Sequence, residues 1–558
     1  MTMSVPRSRL RHTTWGRRAL LGASLALGMS LSLTLGAPRV YAETPKDTLV
    51  QAWAFDDIIT MDPGESFEIS TAEILGNIYN TLVRLNIDNT SEVLPSIAES
   101  WTVSDDALTY TFKLKPGITF ASGNPITADD VAFSFERAIK LDKGPAFILA
   151  QFGLTGDNIT EKAKALDAGT FQFTVDKPYA PSFVLNCLTA TVAMVVDKKL
   201  VMEHAEAVTP SADSPYDTDF GNGWLKTHYA GSGPFILRDW RANEVLVLER
   251  NDKYFGEKAK LARVLYRHLK ESAGQRLALE AGDIDVARNL EPGDLVSVEA
   301  DKDIAIESQS KGTVYYFSLN QKNPILAKPK VREAIKYLVD YKAIGATLIK
   351  GIGTLHQTYI PAGMLGAIDD MPYHLDVAKA KALLAEAGLP DGFTVTMDVR
   401  TVQPVTGIAE SVQQTFAQAG IKLEIIPGDG KQVLTKYRAR NHDIYIGQWG
   451  TDYWDPNSNA ETFSSNPDNA DDASSKTLAW RNSWDIPALT EETAGALLER
   501  DTAKRAATYA DLQRKVLADG PFVLLYQQTE VGAYRTNVKD YRLGPSFDSN
   551  YLDKTFKE

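Results

Sequence analysis

Residues 393–426 read as strand, helix and strand with almost no slack between them. FTVTMDV (393–399) alternates apolar and polar residues, IAESVQQTFAQAG (408–420) is an amphipathic helix stopped by Gly420, and IKLEII (421–426) is extended again. A helix between two strands with short joints is a crossover connection, so the strands lie parallel and helices cover the sheet. No all-β or all-α architecture accommodates this unit. The fold class it implies is α/β.

The first half is richer in strands. Leu108, Tyr110, Phe112 and Leu114 alternate with polar residues, and turn signals follow at Pro116-Gly117 and Ser122-Gly123-Asn124. Thr127, three residues before Asp130, is placed to cap a helix with Val131, Phe135 and Ile139 on one face. A strand pair is expected in GSGPFILRDWRANEVLVLERN (231–251). The pattern changes near Gly312, where PKVREAIKYLVD (329–340) and DVAKAKALLAEAG (376–388) read as helices, and DGPFVLLYQQTEVGAYRTNV (519–538) returns to strand. If that last segment rejoins the first domain, two segments cross between the domains. Two crossings make a hinge, and domains on a hinge enclose a cleft.

The first 42 residues are expected to be a cleaved signal peptide. They hold Arg7, Arg9, Arg11, Arg17 and Arg18, then an apolar run from Ala19 to Ala37, then Val40-Tyr41-Ala42 ahead of Glu43. Arg17-Arg18 resembles a twin-arginine signal, although Gly16 stands where Ser or Thr is usual, and the export route stays open. Removing the segment, Arg39 included, moves the formal charge from −13 to −19. So acidic a chain is a poor partner for nucleic acid or anionic membranes. Cys187 is the sole cysteine and reads as a buried apolar residue. The expected compartment is the periplasm.

ESWTVSDDALTYTFKLKPGITFASGNPITADDVAFSFERAI (99–139) resembles the signature of the family-5 solute-binding proteins of ABC importers, the dipeptide, oligopeptide and nickel-binding group. MDPGESFEISTAEILGNIYNTLVRL, GSGPFILRDW, LERNDKYFG, LEAGDIDVA, KVREAIKYLVD, DVAKAKALLAEAGLPDGF and GQWGTDYWDP are similar to further family blocks, in family order. One departure is Ala121-Ser122, where the family often has His-Asp. The resemblance implies a two-lobed periplasmic binding protein fold, a flytrap, with an extra subdomain on the first lobe. The boundaries expected are 1–42 for the signal peptide, 43–311 for lobe I with an inserted subdomain at about 95–228, 312–518 for lobe II, and 519–558 for a return to lobe I.

Peptide-binding members of such a family clamp the α-ammonium group with an aspartate in a W-x-x-D segment, which here is Trp449, Gly450, Thr451 and Asp452, followed by Tyr453. The preceding HDIYIGQW reads as a buried strand, and sites in open α/β sheets gather at strand C-terminal ends. A carboxylate there suits an ammonium group, and Trp449 offers a flat wall. The alternative is that Asp452 caps the next turn and Trp449 is core. Arg400 is a candidate for a ligand carboxylate or a surface arginine. Ser66, Phe67 and Glu68 resemble the loop that lines the cleft opposite, while Asp455 reads as a turn residue. Trp480 and Trp484 reach the cleft mouth or pack in their own loop. The acidic run 466–475 lacks calcium-loop spacing and reads as a solvated loop.

An exported hydrolase is the competing class, but no G-x-S-x-G or H-E-x-x-H occurs and the seven histidines show no metal-ligand spacing. No catalytic residue, cofactor or metal site is read. A second alternative keeps the fold and changes the ligand to an oligosaccharide, an opine-like conjugate or a metal chelate. The favoured expectation is a monomeric receptor for a short peptide or amino-acid-derived solute. It would deliver that solute to an ABC permease driven by a separate ATPase, since the chain has no phosphate-binding G-x-x-x-x-G-K-[ST] loop.

Overall fold

The structure, a computed structural model, describes residues 44–558 apart from 212–213 and 474. The signal segment expected at 1–42 lies outside the described residues. Among the described residues no helix is long and apolar enough to cross a membrane.

The 393–426 unit folds as its pattern requires. Thr394–Arg400 and Lys422–Gly428 pair in parallel, from Thr394 opposite Lys422 to Arg400 opposite Gly428, with helix Val405–Gln418 between them. Ile408, Val412 and Phe416 bury one helix face, where Leu338, Met397 and Leu423 belong to the same core. This unit forms one edge of an eleven-stranded mixed sheet. Strand Ile444–Gly450 comes next, then the long antiparallel pair Ile304–Leu319 and Phe522–Arg535. Beyond that pair lie Val286–Ala287, Thr48–Trp53, Arg263–His268 and the hairpin Val245–Arg250 with Phe235–Arg241.

The two long strands traverse both halves of the molecule. Ser308 to Ser310 pair with Val531 to Thr529, the register then slips, and pairing resumes with Val314 opposite Gln527. Gly312 lies in that irregularity. The change of character expected near Gly312 and the strand expected at 519–538 therefore meet at one place in space. Separate apolar clusters serve the two sides, one around Trp53, Leu75 and Tyr266 and the other around Phe317, Ile335 and Phe416.

The 108–139 module stands apart. Ala98–Val103 and Thr109–Leu114 join Thr170–Thr174 and Ala163–Asp167 in a four-stranded antiparallel sheet. Helix Ala128–Leu141 packs on it, with Phe135 against Phe171 and Phe173 at centroid separations of 5.1 and 5.7 Å. The Asp130 carboxylate accepts the Thr127 N–H at 2.9 Å and the Thr127 hydroxyl at 2.7 Å, tying down the helix start.

Candidate functional site

Strand Ile444–Gly450 ends with Gly450 opposite Thr313, beside the register slip. The chain then turns, and Thr451 binds the Gly312 carbonyl twice, through its N–H at 3.0 Å and its hydroxyl at 2.6 Å. Gly312 is required there, because a Cβ would stand 2.5 Å from the Thr451 hydroxyl. The next two aspartates diverge. Asp455 caps helix Pro456–Phe463 and accepts both Arg505 guanidinium nitrogens, at 2.9 and 2.7 Å, deep in the interior. The turn role expected of Asp455 is thus joined to a buried ion pair.

Asp452 has no such partner. Its N–H donates to Ser458 Oγ at 2.9 Å, but no ion pair or hydrogen bond reaches its carboxylate from any described residue. The group is half-buried and faces a cavity. Burial, with a smaller contribution from Glu461, pushes its pKa up to about 7. Asp452 caps no turn with its side chain, which leaves the carboxylate open to the cavity.

The opposite wall begins at Asp62. Arg137, from the 108–139 module, grips the Asp62 carboxylate with two bonds of 2.7 and 2.5 Å, and Asn222 donates to it at 2.7 Å. This buried junction anchors the loop that carries Ser66, Phe67 and Glu68. Phe67 is 50 % exposed and meets Phe147 edge-on at 6.1 Å. Glu68 precedes helix Ile69–Ile78, and burial raises its carboxyl pKa.

The cavity's third wall is the C-terminal segment Pro545–Asp548. Lys311, next to Gly312, donates to the Gly544 carbonyl at 2.6 Å and to Asn550 Oδ1 at 2.9 Å. Its ammonium also meets Glu530 at 2.6 Å, and Arg288 bridges Glu530 to Glu73. Two cations and two anions therefore balance in the interior, as buried charge requires. The segment approaches helix Ile69–Ile78 so closely that a Cβ at Gly76 would collide with the Asp548 carbonyl at 2.0 Å. Asp548 accepts a bond from the Ser546 hydroxyl, and burial raises its pKa.

These walls enclose a cavity of about 410 Å³, within the range of small-molecule sites. Ser66, Phe67, Glu68, Trp449, Gly450, Thr451, Asp452 and Tyr453 all line it, so the structure brings eight of the expected residues together. Thr189 to Thr191 line it as well. Arg400 stands elsewhere, exposed on the wall of an adjoining cavity of about 740 Å³. Arg438, Gln448, Trp449, Arg481 and Phe547 border both cavities. Of these, Arg438, Gln448, Arg481 and Phe547 were not expected from the sequence, nor was Asp548. Arg438 sits in the last turn of helix Gly430–Arg438 without an acid three or four residues away, a weak sign of an unpaired guanidinium.

Several aromatics are settled by packing. Tyr453 is nearly buried against Phe183 at 5.8 Å, so it offers the cavity little more than an edge. Trp480 and Trp484 are buried in their own segment, with the Trp480 indole N–H on the Ala470 carbonyl at 2.7 Å. Asp471, from the acidic run, pairs with Arg440 and Lys322. Cys187 is fully buried, which raises its thiol pKa. Among the described residues no group of three or more His, Cys, Asp or Glu is placed to hold a metal ion.

The chain is similar to known proteins along most of its length. The chain is 28 % identical over 538 residues to a probable D,D-dipeptide-binding periplasmic protein of Escherichia coli, covering 95 % of this chain and 98 % of that one. It is also 28 % identical to the E. coli dipeptide-binding protein, over 93 % and 96 % of the two chains. Among solved structures, an ABC transporter-associated periplasmic binding protein from Helicobacter pylori in complex with the peptide STSA superposes with a TM-score of 0.74, at 26 % identity, over 92 % of this chain and 98 % of that one. The fold is the two-lobed one of those periplasmic binding proteins. The family description "Bacterial extracellular solute-binding proteins, family 5 Middle" matches residues 92–471, and the chain belongs to that family.

Proposed function

We propose that this protein is the solute-binding component of an ABC importer and that it closes on a short peptide or amino-acid-derived solute. The observation that carries the reading is the Asp452 carboxylate, unpaired among the described residues on the wall of a 410 Å³ cavity. A primary ammonium group supplies the missing partner through charge-assisted hydrogen bonds. Trp449 gives the solute a flat face, Gly450 and Thr451 a polar edge, and Ser66, Phe67 and Glu68 the opposing wall. Arg400 serves only solutes long enough to extend into the second cavity. Relatives that bind dipeptides support the ligand class.

The lobes are assigned as 43–311, with the inserted subdomain at about 95–228, and 312–518, with 519–558 returning to the first. The register slip beside Gly312 serves as the hinge. Residues 1–42 act as the export signal to the periplasm, by the general secretory or twin-arginine route. The mature protein works as a monomer without catalysis and passes its cargo to a permease whose energy comes from a separate ATPase. Native mass spectrometry of protein purified from its own periplasm tests this reading. A bound amine of peptide size at unit stoichiometry is expected, and a neutral sugar in its place would reject it.

A further inference from the structure

The larger cavity carries a charge pattern that a simple dipeptide does not use. Arg400, Arg438 and Arg481 all line it, from three separate elements. Arg400 ends strand Thr394–Arg400, Arg438 ends helix Gly430–Arg438, and Arg481 ends the short helix Leu478–Arg481. None of the three makes an ion pair with a described residue. Arg400 and Arg438 are exposed and Arg481 is half-buried. Arg267, Arg500 and Arg535 also lack such pairs but donate to the carbonyls of Asp283, Asp105 and Leu279, whereas Arg400 and Arg438 donate to no described residue. What sets the three apart is that one cavity gathers their guanidinium groups.

Their setting is suited to holding anions. The Arg481 guanidinium lies over the Tyr437 ring at 5.3 Å and at 6.0 Å from that of Trp449, while its Nε donates to the Lys476 carbonyl at 3.2 Å. That stacking orients the planar fork, which binds carboxylates through paired hydrogen bonds. Across the cavity, Asp56 is occupied by Lys270, while Asp57 accepts the Ser70 N–H at 3.1 Å. Asp57 and Glu291 stand on that wall and pair with none of the three arginines. Because Arg438 and Arg481 border both cavities, a solute with its cation on Asp452 reaches them first and Arg400 beyond.

We infer that the solute carries two or more carboxylates at the end away from its ammonium group, as in a short acidic peptide or a polycarboxylate conjugate of an amino acid. This rests on the peptide reading for the cation seat, but the arginine wall is testable without it. The probes are the dipeptides Ala-Glu and Ala-Gln, nearly equal in shape and different by one charge, titrated calorimetrically into wild type, Arg438→Gln, Arg481→Gln and Arg400→Gln. Wild type is expected to prefer Ala-Glu at least tenfold, and the preference is expected to fall below threefold in Arg438→Gln or Arg481→Gln and to shrink in 0.5 M salt. A wild-type ratio near one overturns the proposal. So does a ratio unchanged in all three variants, which would assign the arginines to Asp57 and Glu291 in the closed state. If neither dipeptide binds, the peptide reading fails by itself. Glycine, glutamate and N-carboxymethylglutamate, with one, two and three carboxylates, then decide: affinity rising along the series sustains the polyanion proposal, and a flat or falling series ends it.

Discussion

Arg505 holds Asp455 through two hydrogen bonds in the interior, three residues beyond an aspartate that nothing in the described protein neutralises. The pair fixes the start of helix Pro456–Phe463, whose Ser458 hydroxyl accepts the Asp452 N–H at 2.9 Å. Replacing Asp455 by Asn strands a buried guanidinium, and the cost expected is about 3–5 kcal/mol. The urea midpoint should drop accordingly. Replacing both partners by leucine should recover part of the loss, since the desolvation of two charges is then avoided.

The Asp452 carboxyl gives a pH dependence of definite sign. An unfolded aspartate titrates near ~3.9, whereas this group titrates at about 7 in the folded protein. Folding therefore favours the protonated form, and this stabilising linkage is fully present below pH ~4, declines as pH rises and is gone above about 7. Relative to Asp452→Asn, the wild type should lose about 1–2 kcal/mol over that window, the open cleft screening the burial cost. Ligand binding runs the other way. An ammonium solute needs the ionised carboxylate, so affinity should fall up to tenfold per pH unit below 7, with up to one proton released on binding at pH 6. Calorimetry in buffers of different ionisation enthalpy reads that proton directly.

Gly312 has no room for a side chain, because the Thr451 hydroxyl and Cβ stand 2.5 and 2.9 Å from where its Cβ would be. Gly312→Ala should cost about 1–3 kcal/mol by overpacking and should shift Thr451 along with its neighbour Asp452. Adding Thr451→Gly, which removes both clashing atoms and keeps the Thr451 backbone N–H bond to the residue 312 carbonyl, should relieve the clash and restore part of the stability. Thermal melts of the single and double variants check this.

Lys311 tests the buried network under the C-terminal wall. Lys311→Met leaves Glu530 with Arg288 as its one cation and Asn550 as a neutral donor, and frees the carbonyls of Gly544 and Ser546. A loss of about 3–5 kcal/mol is expected, with the segment 544–550 exchanging its amide hydrogens faster than helix Ile69–Ile78. Mass-resolved hydrogen exchange distinguishes this local release from general unfolding.

What could be read from the chain and what could not divide along a physical line. The 393–426 unit, the capped helix at Thr127 and the W-x-x-D segment are local, so periodicity, capping and strand ends disclose them. The meeting of Ser66 to Glu68 with Asp452 depends on chain segments nearly 400 residues apart, and the family resemblance supplied it. Arg438, Arg481 and Asp548 were invisible for a different reason. Charged residues on helix ends or in loops usually face solvent, and only the tertiary arrangement turns these three toward a cavity. Arg400 stands out at the end of its strand, yet its position beyond the first cavity follows from sheet order and not from its place in the strand.

The proposed function requires that Asp452 bind a cation, and a four-way titration tests that most directly: Ala-Ala and N-acetyl-Ala-Ala into wild type and Asp452→Asn. Removing either the ligand's charge or the protein's should weaken binding by about 2–5 kcal/mol, and removing both should cost little more than removing one, the non-additivity that marks a direct contact. Undiminished binding of the acetylated dipeptide, or two penalties that simply add, would contradict it.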